Sequence, residues 1–152
     1  MSEKLITKSS HEHKYTNKNF FHRFFLNRFL DTVYYEIDTL DPNTILDFGC
    51  GEGFFLKAMK DRGLSEKKIL GVDNRREAIE KAATLIPEYD FKHIDLFQIN
   101  PDEFQFDLVI AIEVFEHLYK PETFLTPYIK IKTLFVKFPW IVSVGTTIPN
   151  IS

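Results

Sequence analysis

The run Asp47-Phe48-Gly49-Cys50-Gly51-Glu52-Gly53 decides how this chain is read. It closes the apolar stretch Thr44-Ile45-Leu46-Asp47-Phe48, which reads as a strand. It also opens the segment Phe54 to Arg62, which reads as a helix stopped by Gly63. Alternating glycines between a strand and a helix let the backbone approach a ligand closely and take torsions that a side chain forbids. The dinucleotide fingerprint wants glycines at the first, third and sixth positions, but counting from Gly49 the sixth position is Phe54. The acidic Asp47 at the strand's end also suits a ligand with a positively charged amino-acid portion better than a pyrophosphate. A glycine-rich turn without a ligand is the plain alternative, and the full spacing in this strand-to-helix context weighs against it.

Working outward, Lys68-Ile69-Leu70-Gly71-Val72 reads as a second strand. Arg75 to Leu85 reads as a helix with Ala78, Ile79, Ala82, Ala83 and Leu85 on or near one face, and Pro87 follows its end. Phe91 to Ile94 is a short third strand, and Phe106 to Ile112 a strongly apolar fourth. Strands alternating with helices at this spacing imply βαβ units. The expected fold is therefore α/β: a Rossmann-like, doubly wound, mostly parallel sheet with helices on both faces and ligands outside the carboxyl ends of the strands. Beyond Pro121, Glu122 to Ile131 suits a helix, and either Thr133 to Phe138 or Trp140 to Val144 a fifth strand, with Pro127, Pro139 and Pro149 interrupting each pattern.

Upstream of the loop, residues 1–17 read as a flexible polar lead-in, and 18–152 as one domain opening on a helix of about 19–40. On that helix Phe20, Phe21, Phe24, Phe25, Phe29, Val33 and Tyr34 recur at spacings of three and four, as one apolar stripe packed on the sheet would. Asp41-Pro42-Asn43 ends it. The 152 residues are 44% hydrophobic and 27% charged, the composition of a globular domain with its own core. A net charge of −3 supplies no basic field for phosphate backbones, so nucleic acid is not the expected partner. The polar N-terminus does not read as a signal peptide, and with His22, Arg23, Arg28, Asp31, Glu36 and Asp38 in it the apolar segment after it is not expected to be a membrane span. A single cysteine, Cys50, forms no internal disulfide and fits a cytoplasmic location.

In these residues the chain resembles the class I S-adenosylmethionine-dependent methyltransferases, over about residues 44 to 125. The resemblance implies that Asp47, Gly49, Cys50, Gly51 and Gly53 hold the methionine and sulfonium portion of S-adenosylmethionine. Asp73, twenty residues beyond Gly53, would accept the ribose hydroxyls, where an isolated Asp would be a cap or turn. Asn74 touches the adenine or only shapes the turn. Asp95 meets the adenine amino group, with the Leu96 amide on a ring nitrogen, or else caps the chain. Cys50 is a small packed residue rather than a nucleophile. The first helix would lid the pocket, with Tyr15 in reach of the ligand.

Glu113-Val114-Phe115-Glu116-His117 would lie beside the transferable methyl, as the floor of the substrate pocket. Glu113 there also borders the cofactor, and Glu113 and His117 are the catalytic candidates, as a general base if the acceptor must lose a proton. Glu113, Glu116 and His117 are also metal-ligand types, as in methyltransferases that modify the 3′ end of small RNAs. No further His follows, so no metal is expected. The implied function is methylation of a small-molecule or lipid-linked acceptor, with a binding module lacking turnover as the alternative, the metal-assisted RNA enzyme as a lesser one, and an NAD-type oxidoreductase disfavoured by Phe54. Members of this family usually carry more strands than the five or so read here. The sheet is therefore expected to be incomplete at its C-terminal edge, leaving an edge for a second copy or a partner chain to cover.

Overall fold

A computed structural model of the chain describes residues 20–64, 67–95, 106–112, 114, 132–137 and 141–145. Helix α1 (Phe20–Leu40) leads into strand β1 (Thr44–Phe48), helix α2 (Phe54–Lys60), strand β2 (Lys68–Asp73) and helix α3 (Arg76–Leu85). Strands β3 (Asp90–His93), β4 (Leu108–Ile112), β5 (Lys132–Lys137) and β6 (Ile141–Gly145) follow. Their order across the sheet is β3-β2-β1-β4-β5-β6. All pairings are parallel except β5 with β6, which is antiparallel. Both segments that competed for the fifth strand are thus strands, paired with each other. Pattern alone offered them as alternatives because it does not reveal which short apolar runs pair.

The chain runs outward from β1 through β2 to β3, then returns to place β4 on the other side of β1. That reversal makes the β1/β4 boundary a topological switch point, where a doubly wound sheet opens a crevice at its carboxyl end. Strands β1, β2 and β4 are apolar along most of their length and buried, as strands covered on both faces are. Ile45, Ile69, Leu108 and Ile110 enter one core cluster, while Leu46, Leu70, Val72 and Val109 enter a second. All three described helices contribute to the first cluster, through Leu30 and Val33 of α1, Leu56 and Met59 of α2, and Ile79 of α3. Each such fully buried aliphatic side chain contributes about 1.5–3 kcal/mol. Glu122 to Ile131, expected as a helix, lies outside the described residues.

Helix α1 covers the expected range, but its buried face differs from the expected stripe. Leu26, Phe29, Leu30, Val33 and Ile37 are buried, whereas Phe20, Phe21, Phe24 and Phe25 are each more than half exposed. At 100° per residue those four rings lie on the side of the helix away from the aliphatic face. The first turns of α1 thus carry apolar residues on two opposite sides, and spacings of three and four do not separate two such stripes. The helix ends where Asp41 takes a left-handed conformation (φ 43°) and its amide bonds the Ile37 carbonyl at 3.1 Å. At the amino end of β1, Asp107 accepts the Asn43 and Thr44 amides at 2.9 Å each, fixing the β1/β4 register from below.

Candidate functional site

The glycine loop leaves β1 and at once turns back against β2. The Gly49 and Cys50 amides both donate to the Val72 carbonyl, at 2.8 and 3.0 Å, and the Gly51 amide donates to Asp73 Oδ2 at 2.9 Å. Gly49, at φ 74°, has no room for a side chain: a Cβ there would lie 2.5 Å from Val114 Cγ2. Gly53, at φ 83°, caps α2, and a Cβ on it would meet Ala82 of α3 at 3.1 Å. The loop thus pulls α2 and α3 together while its amides line the carboxyl end of the sheet.

The buried carboxyl groups of strands β1 and β2, Asp47 and Asp73, stand at that end. Asp47, in β1 beside Gly71 of β2, is buried, and its Oδ2 has no hydrogen-bond partner among the described residues. Burial, with the nearby Asp73 charge, pushes its carboxyl up to about 8. A buried carboxyl with an orphaned oxygen is the complement of a cationic group, so the residues present fit an ammonium-bearing cofactor. Asp73, also buried, closes β2, and its Oδ1 accepts the Arg75 amide at 2.8 Å and Arg75 Nε at 3.2 Å. The same burial and the charges of Asp47 and Asp73 hold the Cys50 thiol far above its usual range, which makes it a packed residue, not a nucleophile.

Asn74 is exposed directly after β2, and its carbonyl lies 3.0 Å from His93 Nε2 of β3. The Ile94 amide bonds the Asp73 carbonyl at 3.0 Å, which carries the β2/β3 pairing onward and sets the exposed Asp95 at the same sheet end as Asp73 and Asn74. Asp47, Gly49, Cys50, Gly51, Gly53, Asp73, Asn74 and Asp95 are therefore brought to one end of the sheet. Tyr15, Leu96, Glu113, Glu116 and His117 lie outside the described residues. The pattern missed Arg75, Val114 and Glu52. Arg75 stands two residues after the acidic strand end, a usual capping position, and Val114 stands directly beyond β4. Glu52, buried inside the glycine run, is held by Lys81 of α3 at 2.9 Å.

The family model described as a methyltransferase domain matches residues 46–130, from within β1 to beyond β4. The chain belongs to that family. Among curated relatives, this methyltransferase domain is 37% identical over 86 residues to the ubiquinone biosynthesis O-methyltransferase of Maricaulis maris, covering 53% of the chain and 33% of the relative. It is 29% identical over 104 residues to the O-antigen chain terminator bifunctional methyltransferase/kinase WbdD of Escherichia coli, covering 60% of the chain and 14% of the relative. The chain thus spans a third or less of these relatives.

Among solved structures, the plantazolicin methyltransferase BpumL, in complex with a pentazolic desmethylPZN analog and SAH, matches with a TM-score of 0.62 at 23% identity. That match covers 80% of this chain and 49% of BpumL. The methyltransferase domain of bacterial CtHen1-C matches with a TM-score of 0.56 at 25% identity, over 72% of this chain and 65% of that one. The methyltransferase domain shares the fold of these proteins.

Proposed function

We propose that the chain is the cofactor-binding part of an S-adenosylmethionine-dependent methyltransferase that acts on a small-molecule or lipid-linked acceptor. The observation that carries this reading is the buried Asp47 carboxyl with an orphaned oxygen, one strand away from Asp73 and under the amides of the glycine loop. In this reading Asp47 faces the ammonium of the methionine portion, and Gly49, Cys50, Gly51 and Gly53 supply close backbone. Asp73 takes the ribose, while Asn74, Asp95 and Leu96 surround the adenine. Glu113 borders the methyl, with Glu113 and His117 the candidates to take a proton from the acceptor.

The cofactor supplies an activated methyl, so the protein's share of the chemistry is orientation and a dry pocket. The packed loop of Gly49 and Gly53 supports the first role. The apolar Val114, packed on Gly49 of the loop, supports the second. Relatives named for ubiquinone biosynthesis and O-antigen chain termination support an acceptor of the small-molecule or envelope-precursor class. SAH in the BpumL complex supports the choice of cofactor.

Calorimetric titration of S-adenosylmethionine into the purified chain tests this, with Asp73→Ala as control. Saturable binding, weakened tenfold or more in the variant, is expected. Binding that ignores Asp73, or no binding by a folded chain, would refute the reading. Release of S-adenosylhomocysteine with an acceptor then separates an enzyme from a module that binds without turnover.

A further inference from the structure

Arg75 stands at the N-terminus of α3, followed by Arg76, where the helix macrodipole disfavours positive charge, and its side chain provides no cap. Its guanidinium instead turns back to the sheet end: Nε bonds Asp73 Oδ1 at 3.2 Å, and Nη2 lies 3.4 Å from where a Cβ on Gly51 would stand. A carboxylate offers about four lone-pair positions. Among the described residues three donors take positions on Asp73: the Gly51 amide, the Arg75 amide and Arg75 Nε. One remains, and a ribose diol donating both hydroxyls needs two. Of the three donors, the two backbone amides are fixed by the loop and by the start of α3. The Arg75 side chain is half exposed and is the one that can leave.

We propose that Arg75 is a displaceable gate on the adenosine site, competing with the ribose for Asp73 and thereby weakening the affinity for every ligand that carries the full diol. The inference rests on the reading of Asp73 as the ribose acceptor. Because product and cofactor share that ribose, the gate loosens both and favours product release. A half-exposed ion pair is weak, so the effect is about two- to fivefold in Kd.

The experiment is titration of S-adenosylhomocysteine and its 2′-deoxy analogue into the wild-type chain, Arg75→Ala, Arg75→Met and Asp73→Ala. Arg75→Met keeps the aliphatic stem, should Ala disturb α3. Both Arg75 variants are expected to bind S-adenosylhomocysteine two- to fivefold more tightly. The deoxy analogue needs a single acceptor position, which is already free, so its affinity should not change. Unchanged or weaker binding of S-adenosylhomocysteine by both variants would overturn the gate, as would equal tightening for the two ligands, which would mean a general charge effect. If wild-type binds nothing, or Asp73→Ala binds as wild-type does, the cofactor reading itself fails and the gate falls with it.

Discussion

Asp47 keeps its proton to about pH 8 because burial penalises the carboxylate and Asp73 adds a like charge. The folded state therefore binds a proton that the unfolded chain has lost above a pKa of about 3.8. Stability attributable to this residue falls as pH rises from about 4 to 8, and the penalty is full above that. Asp47→Asn should remove this slope and stabilise the ligand-free chain at pH 9, by an amount on the order of a few kcal/mol. Urea denaturation at pH 5, 7 and 9 measures it, and parallel curves for the two proteins would contradict the assignment. In the proposed reading a cofactor ammonium faces Asp47 and favours the carboxylate, so binding at pH 7 should release a proton. Calorimetry in buffers of different ionisation enthalpy reads that release directly. The glycines divide at the same scale. Gly49→Ala meets both a positive φ and Val114 at 2.5 Å, whereas Gly51→Ala meets a positive φ and only a mobile guanidinium at 3.4 Å. The torsion alone costs about 1–2 kcal/mol, so Gly49→Ala should be the more destabilising in urea melts. That Asp47, the glycines and Asp73 meet at one end of the sheet was legible, because strand ends and the turn between strand and helix follow from apolar pattern and spacing. The grip of Arg75 on Asp73 was not, since local sequence does not say where a long flexible side chain turns.

At the scale of elements, α1 separates pattern from packing. Its length and its stop at Asp41 were readable from apolar periodicity and from Pro42. Its buried face was not, because aromatic and aliphatic residues both recur at helical spacing on opposite sides. The aliphatic side packs against the sheet, with Val33 and Ile37 fully buried, while Phe24 is 52% exposed. Ile37→Ala should therefore cost about 2–5 kcal/mol by transfer and cavity terms. Phe24→Ser should stay within about 0.5 kcal/mol, as exposed substitutions do. Chemical denaturation of both variants checks the orientation of the helix, and a Phe24→Ser loss as large as that of Ile37→Ala would reverse it. Strands β1, β2 and β4 were legible almost to the residue, because a parallel strand covered on both faces is a continuous apolar run between turn residues. The β5/β6 pair was half legible, since pairing is a property of two segments and neither states it alone.

For the whole molecule, strand order is what turns separate motifs into a site. The glycine loop, Asp73 and Asp95 lie within 49 positions in sequence, from Asp47 to Asp95, yet they converge only because β2 and β3 stack on the same side of β1. Return of the chain to β4 on the other side brings Val114 over Gly49. Ligands in such sheets bind outside the carboxyl ends of the strands, which is why the general position of the site could be read early while its packing could not. The same convergence ties ligand binding to global stability: a ligand held by β1, β2 and β3 together binds the folded state and not the unfolded chain. At a concentration one hundred times its Kd, S-adenosylmethionine should add about 2.7 kcal/mol of stability. For a domain of this size that corresponds to a rise in Tm of about 5–11 °C. Asp73→Ala, binding tenfold or more weakly, should lose about half of the rise or more at the same ligand concentration while unfolding cooperatively on its own. A rise of equal size in the variant would place the ligand somewhere other than the carboxyl end of β2.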